Sequence, residues 1–184
     1  MRLKDLDHLL RAAGDVTGHA RFVLVGSNAI LAWSQAVPEA MAISREADLF
    51  ASDVSVEEAE RLSDLLENIG QLSEFDETHG YYADGVSPDT AVLPLDWRTR
   101  SKVYSSPSTN GVVAVVPHPD DIALSKLCRG EEKDLDWVDA AHAAGLIDLD
   151  QMVARAGGLP QRTSTDRDRL FRLIEGVRHR GVRP

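Results

Sequence analysis

Two carboxylates one residue apart are the side chains of this sequence best suited to chemistry. They are Glu46 and Asp48, in the segment I-S-R-E-A-D-L-F at residues 43–50. The apolar neighbours predict a β-strand, in which alternate side chains point to the same face. Two acids on one face repel each other, and burying either one unpaired costs free energy. A divalent cation such as Mg²⁺ would satisfy both. Pairing with Arg21 or Arg45, or exposure on an edge strand, are the structural alternatives.

A glycine–serine pair upstream offers a place for phosphate. The segment F-V-L-V-G-S-N-A predicts a buried strand that ends at Gly26 and is followed by a helix over about 29–36. Free N–H groups and the helix dipole at such a start favour phosphate, and glycine lets it approach the backbone. We therefore expect Gly26, Ser27 and Asn28 to bind a nucleotide. The structural alternative is that Ser27 or Asn28 serves only as the helix N-cap.

The elements that must position these residues follow from the apolar spacing. Strands are predicted at 21–26, 46–51, 90–97 and 111–117, helices at 3–13 and from Ser55 to Gly70, a loop at 36–42, and short strands with loops over 71–90. Ser55 and Glu58 form a predicted capping box. Four helices are predicted after Pro117. The first is capped by Asp120 or Asp121, and the second begins near Glu131. The third is capped by Asp148, and the last begins at Thr163 and Asp166. The result is an α/β fold with a mixed sheet at 1–117 and a helical part at 118–184, as one domain or two.

Composition excludes several classes of protein. The 184 residues, 43% hydrophobic and 27% charged, are typical of a soluble globular chain, and no segment is apolar enough to suggest a membrane protein. Acids interrupt the apolar spacing of the first ten residues, which argues against a signal peptide, so we expect a cytoplasmic protein. The single cysteine, Cys128, excludes a disulfide framework and a cysteine-based zinc site.

Charge is unevenly distributed along the chain. Residues 155–184 hold eight arginines against three acids, which gives this segment a net charge of about +5. Because the whole chain has a net charge of −10, the remaining residues have a net charge of about −15. A basic segment of this kind can bind phosphates of RNA. The alternative is a solvated helix, or one that docks on the acidic part of its own chain.

The ordered motifs resemble those of the nucleotidyltransferase superfamily, with its polymerase-β-like fold. Its Gly-Ser pair and acid-x-acid strand are matched by V-G-S-N-A-I-L and by S-R-E-A-D-L, where Glu46 stands in place of an aspartate of the toxin-type branch. Residues 120–136, D-D-I-A-L-S-K-L-C-R-G-E-E-K-D-L-D, are similar to the helices that follow the catalytic core. More narrowly, most of 20–150 is similar to a bacterial family of uncharacterised nucleotidyltransferase-like proteins.

This resemblance implies transfer of a nucleoside monophosphate from an NTP to an acceptor hydroxyl. Glu46 and Asp48 would bind Mg²⁺. Lys126 would neutralise the triphosphate, or alternatively be a solvated helix residue. Lys133 and Asp134 would lie at the nucleotide, or alternatively form pairs on a helix surface. Asp96 is the candidate third carboxylate, or alternatively a strand-end turn residue.

The acceptor is less defined by the resemblance. It implies an RNA end, such as that of tRNA, or a protein, and a toxin with an antitoxin partner. Residues 79–82, H-G-Y-Y, would line an acceptor or base pocket, or else form a turn with core aromatics. The alternative function is a catalytically silent fold that binds a nucleotide or a partner protein, and a small-molecule acceptor is a third option.

Overall fold

A five-stranded mixed sheet forms the centre of the molecule. The computed structural model describes residues 1–160 and 167–181. The strands are β1 (Arg21–Val25), β2 (Glu46–Ala51), β3 (Tyr82–Gly85), β4 (Lys102–Tyr104) and β5 (Val113–Val116). Their order is β3-β2-β1-β5-β4, with β1 antiparallel to β2 and parallel to β5, β2 parallel to β3, and β4 antiparallel to β5. The predicted α/β class with a mixed sheet is confirmed.

Helices flank the sheet and fill the C-terminal part. They are α1 (Leu3–Thr17), α2 (Val56–Leu66), α3 (Glu74–His79), α4 (Pro119–Arg129), α5 (Glu132–Ala143), α6 (Leu149–Ala156) and α7 (Arg167–Arg180). Within the part of the chain that the structure describes, no helix has the length and apolar character needed to cross a membrane. Thr163 and Asp166, predicted to open the last helix, lie outside the described residues.

The two faces of the sheet are covered differently. Alternate residues such as Phe22, Leu24 and Leu49 pack into a large apolar cluster with side chains from helices of both halves of the chain. The opposite face carries a small cluster built on Val23, Val25, Phe50 and Val115, which the segment after β3 covers with Leu93. This second face also bears Asp48, which lies opposite Val25 in the register of β1 and β2.

The predicted strand at 90–97 is wrong. Pro94 has no N–H to donate. The neighbouring N–H groups find partners outside the sheet: that of Val92 donates to Ser125 Oγ at 3.0 Å and that of Leu95 to the Gly158 carbonyl at 2.9 Å. The segment is therefore a cover over the second face, and the edge strand beside β5 is β4, which the apolar spacing did not indicate.

The helix predicted after Ser27 is a 3₁₀-helix, Ser27–Ala32. Its N-cap is Gly26, and neither Ser27 nor Asn28 caps it through its side chain. After this short helix the chain reverses direction, since β2 runs antiparallel to β1. The loop around Pro38 makes this return, with a further 3₁₀ turn at Glu39–Met41.

Helix caps were only partly predictable. Ser55 Oγ accepts from the Glu58 N–H as expected, but the Glu58 carboxylate binds Arg61 instead of closing the capping box. The predicted cap of α4 by Asp120 or Asp121 is wrong, because His118 is the N-cap and both aspartates bind arginines. Asp148 caps α6 as predicted.

Candidate functional site

Gly26 and Asp48 fit each other so closely that no side chain could stand between them. A Cβ at Gly26 would lie 1.7 Å from Asp48 Oδ2, and the backbone φ at this position is +73°. Both the space and the backbone conformation therefore require glycine. The turn after β1 thus brings the peptide of Gly26 against the carboxylate on β2.

Three acids share one region of the sheet. Glu46 and Asp48 lie two residues apart on β2, and Asp84 on β3 is directly paired with Asp48 in the parallel register. Glu46 is paired with Tyr82, whose hydroxyl donates to Glu46 Oε2 at 3.1 Å. Paired residues of neighbouring strands project to the same face. The structure therefore adds Asp84 and Tyr82 to the two acids predicted from the sequence.

Asp48 is held in a setting that disfavours its charge. Burial raises its pKa, and the neighbouring Glu46 and Asp84 charges raise it further, to about 7. Within residues 1–160 and 167–181, no hydrogen-bond donor contacts its carboxylate. Burial, followed by Glu46, also raises the pKa of Asp84. Burial and mutual repulsion thus favour the protonated forms of both carboxylates, and a cation bound between them would have the opposite effect.

The opposite side of the site is basic. Lys126 on α4 is buried, and its Nζ donates to Ser27 Oγ at 2.9 Å and to Asp134 Oδ1 at 3.2 Å. Arg129 binds the same Asp134 through two bonds of 2.6 and 2.5 Å. Burial lowers the pKa of Lys126, although Asp134 counteracts the shift. Asp134 is itself fully buried, so it orients two cations towards the site.

A cleft of about 440 Å³ lies between the acidic and basic sides. Gly26, Ser27 and the acids Glu46, Asp48 and Asp84 line one part of it, and Lys126, Arg129 and Lys133 another. Its apolar lining comes from Ala40, Met41, Ile43, Val86 and Trp137. The cleft thus offers carboxylates, cations and an apolar surface within the volume range of small-ligand sites.

Two predicted site residues, Asp96 and Asn28, are not among the residues that line the cleft. Asp96 precedes a 3₁₀ turn, pairs with Arg100 at 2.9 Å, and is not among the cleft's lining residues. Asn28 is buried, and its Nδ2 donates to the carbonyls of Ser44 at 3.0 Å and Glu46 at 2.7 Å. Its amide therefore contacts the backbone that begins β2.

The segment H-G-Y-Y, at residues 79–82, agrees in part with each of its two predictions, a pocket lining and a turn with core aromatics. His79 and Tyr81 pack with His8 and Phe75 away from the acids, in an aromatic group with ring centroids 4.6 to 6.0 Å apart. Tyr82 alone reaches the site, through its bond to Glu46.

The donor set at Asp48 suits a magnesium ion that completes its shell from a substrate. Among the described residues, no three His, Cys, Asp or Glu side chains form a group placed to hold a metal ion together. Mg²⁺ nevertheless needs only one or two protein carboxylates where phosphates and water supply the rest. The partly buried Asp48 carboxylate, with Glu46 two residues away and no donor upon it, meets that requirement.

Comparison with known families gives a match that covers nearly the whole chain. A family model described as a nucleotidyltransferase of unknown function (DUF6036) matches residues 1–173. Comparisons with curated proteins and with solved structures give no significant match.

Proposed function

The chain belongs to this family of nucleotidyltransferases of unknown function, and from that premise we propose that it moves a nucleoside monophosphate from an NTP to an acceptor hydroxyl, with release of pyrophosphate. The observation that carries the proposal is the cleft with carboxylates on one side and Lys126 and Arg129 on the other, around the Gly26–Ser27 turn. An NTP with its metal needs both kinds of charge close together.

Glu46 and Asp48 are the residues that would hold Mg²⁺ in this proposal. When bound there, Mg²⁺ would supply positive charge that offsets the negative charge developing during phosphoryl transfer. Asp84, paired with Asp48 on the neighbouring strand, takes the place of third carboxylate for which Asp96 was predicted. Its position on the same face supports a role in accepting the proton of the attacking hydroxyl.

The triphosphate would lie against Gly26, Ser27 and Lys126. The glycine leaves the backbone open to a phosphate, and Ser27 Oγ already accepts a hydrogen bond from Lys126. Arg129 and Lys133 would add positive charge along the cleft, and Asp134 would keep Lys126 and Arg129 directed towards it. Met41, Ile43 and Trp137 would offer the nucleobase an apolar surface.

RNA was one predicted acceptor, through the basic C-terminal segment. Three of its arginines bind acids of the same chain: Arg155 with Asp120 at 3.0 Å, Arg178 with Asp150 at 2.7 Å and Arg180 with Asp139 at 2.6 Å. The pairs of Arg178 and Arg180, which lie on α7, support docking of this helix on its own chain. Arg162 and Arg183 lie outside the described residues. A protein acceptor and a toxin role with an antitoxin partner remain proposals that the adjacent gene would test.

A catalytically silent fold is the second candidate. It is favoured by one observation, the glutamate at position 46 where the resembling motif has an aspartate. Such a protein would bind an NTP through the same cations and release it unchanged. Isothermal titration with Mg²⁺-NTP, followed by assay for pyrophosphate, separates the two: binding without pyrophosphate supports the silent fold.

Incubation with labelled NTPs, Mg²⁺ and total cellular RNA or protein tests the transfer. We expect label to enter one acceptor fraction with the wild type and at least about 100-fold less with Asp48→Ala, because that substitution removes a metal-binding carboxylate. Asp64→Ala, an exposed acid on α2, is the matched control and should keep wild-type activity. Equal incorporation by Asp48→Ala would refute the assignment.

A further inference from the structure

The Glu46 carboxylate is bound by a tyrosine hydroxyl from the neighbouring strand. Glu46 and Tyr82 are paired in the parallel register of β2 and β3, so their side chains project from the same face of the sheet. The Tyr82 hydroxyl donates to Glu46 Oε2 at 3.1 Å. In the part of the chain that the structure describes, no other side chain hydrogen-bonds to this carboxylate or forms an ion pair with it. The second oxygen, Oε1, is therefore left for a further ligand.

The two arginines closest in sequence to these acids bind other carboxylates. Arg21 pairs with Asp53 at 2.8 Å, and Arg45 binds Asp76. An arginine on Glu46 would neutralise the carboxylate and compete with a metal ion for it. A tyrosine hydroxyl is neutral, so it fixes the position of the carboxylate and leaves the negative charge in place.

Tyr82 is itself fixed by its backbone and by a neighbouring side chain. Its N–H donates to the carbonyl of Arg45, the residue before Glu46, at 3.0 Å. The Arg45 guanidinium lies 6.0 Å from the centre of the Tyr82 ring and donates to the Gly80 carbonyl at 2.8 Å. The ring thus has a defined position from which its hydroxyl reaches the carboxylate.

A glutamate at position 46 needs such a contact more than an aspartate would. The glutamate side chain has one more rotatable bond, so it loses more conformational entropy when it binds a metal ion. An aspartate would hold its carboxylate about 1.5 Å, one C–C bond, closer to the strand and out of reach of the hydroxyl. A hydrogen bond that orients a ligand in advance raises its affinity for the metal ion.

We propose that Tyr82 is a positioning residue, which holds the Glu46 carboxylate in place to bind Mg²⁺ together with Asp48. The inference rests on the proposed function, in which these two acids hold the ion. It explains how a glutamate serves at the position where the resembling motif has an aspartate. The bond to Oε2 orients the carboxylate, and Oε1 is the oxygen that remains for the ion.

Binding of Mn²⁺ in place of Mg²⁺ tests the role of the hydroxyl without any turnover. Electron paramagnetic resonance measures the unbound ion in the presence of the full chain, and the binding that Asp48→Ala loses is assigned to this site. Tyr82→Phe keeps the ring and removes the hydroxyl, and we expect the Kd for Mn²⁺ to rise about tenfold. An unchanged Kd, or no such binding by the wild type, overturns the inference.

The preceding tyrosine provides a matched control. Tyr81 Oη contacts His8 Nδ1 at 2.7 Å in the aromatic group away from the acids, so Tyr81→Phe also loses one hydroxyl and its hydrogen bond. We expect this variant to bind Mn²⁺ as the wild type does. An equal loss of binding in both variants would show a general effect on the fold and would contradict a specific role of Tyr82.

A Glu46→Asp background tests whether the hydroxyl acts through Glu46. Because the shorter side chain no longer reaches Tyr82, we expect Tyr82→Phe to cause no further change in the Kd for Mn²⁺ in this background. The same loss in both backgrounds overturns the inference, since the hydroxyl would then act by another route.

The transfer assay separates this inference from the proposed function. In Tyr82→Phe, the Mg²⁺ concentration that gives half the maximal rate should rise about tenfold, while the rate at saturating Mg²⁺ recovers. A rate that stays low at saturating Mg²⁺ contradicts a role through metal binding. If the Kd for Mn²⁺ shifts as expected but no label is transferred, the proposed reaction fails and the role of Tyr82 stands. If label is transferred and the Kd is unchanged, the role of Tyr82 fails alone.

Discussion

Asp48 carries a charge that the folded chain destabilises in the absence of a cation. Burial is the larger cause, and Glu46 and Asp84 add repulsion, so the pKa rises from 3.8 to about 7. A group with a pKa raised by folding binds its proton more tightly in the folded state. The stability associated with that proton is fully present below the unfolded pKa and is lost as the pH rises through about 7.

Asp48→Asn should therefore stabilise the metal-free protein at alkaline pH. In EDTA at pH 8, we expect its free energy of unfolding to exceed that of the wild type by a few kcal/mol, since about three pKa units correspond to at most about 4 kcal/mol before solvent screening. At pH 4 the difference should nearly vanish. Urea unfolding at both pH values measures this, with Asp64→Asn as the exposed control. A difference that does not depend on pH would contradict the electrostatic explanation.

The short 3₁₀-helix Ser27–Ala32 fixes the start of β2 through a single side chain. Asn28 Nδ2 donates to the carbonyls of Ser44 and Glu46. The 3₁₀-helix after Gly26 therefore holds the backbone of Glu46 in place. The Gly26–Ser27 turn and the strand that bears Glu46 and Asp48 are thus connected by hydrogen bonds. We propose that Asn28 positions Glu46 through these bonds; the predicted contact of Asn28 with the nucleotide stays a prediction.

Loss of that amide should affect turnover more than nucleotide affinity. Asn28→Ala removes two hydrogen bonds, and we expect kcat for the transfer to fall about tenfold or more while the Kd of Mg²⁺-free nucleotide changes less than about twofold. Asn68→Ala is the matched control, because Asn68 donates to a backbone carbonyl on an exposed helix end. A fall in nucleotide affinity with unchanged kcat would instead support direct binding by Asn28.

Local patterns predicted the elements with strong apolar signals, but they placed β3 only among the short strands and loops expected over 71–90. The strands β1 and β5 have continuous apolar runs, and their positions were predicted. The strand β3 is four residues long and includes Asp84 and Gly85, so its pairing with β2 depends on contacts across more than thirty residues of sequence. Tyr82 and Asp84 at alternate positions were the only local signal. The sequence consequently predicted the third acid at Asp96, in a segment that does not form a strand.

At the scale of the whole molecule, the sheet and the C-terminal helices share one apolar core. Leu24 of β1, Trp137 of α5 and Ile174 of α7 belong to the same cluster. The basic and acidic parts of the chain are also joined by ion pairs on the surface. The division into 1–117 and 118–184 remains a prediction, which the cooperativity of unfolding can test.

Ile174→Ala should destabilise both parts of the chain together. Ile174 is fully buried, and truncation of such a side chain costs about 2–4 kcal/mol. Because the cluster is continuous, we expect one unfolding transition at lower denaturant, seen equally by far-UV circular dichroism and by tryptophan fluorescence. Leu95→Ala, at a side chain that is 79% exposed, should change the midpoint little. Two separated transitions would show that the parts unfold independently.

The contact between Gly26 and Asp48 makes substitutions at these two positions depend on each other. While the carboxylate is present, position 26 has no room for even a methyl group. Once position 48 becomes alanine or glycine, that space opens, and only the positive φ still disfavours a side chain at 26. Among related sequences, we therefore expect a side chain at position 26 only where the acid at position 48 has also been lost. The residues at positions 26 and 48 can therefore be inspected in the sequence of any family member to see whether the Asp48 carboxylate has been lost.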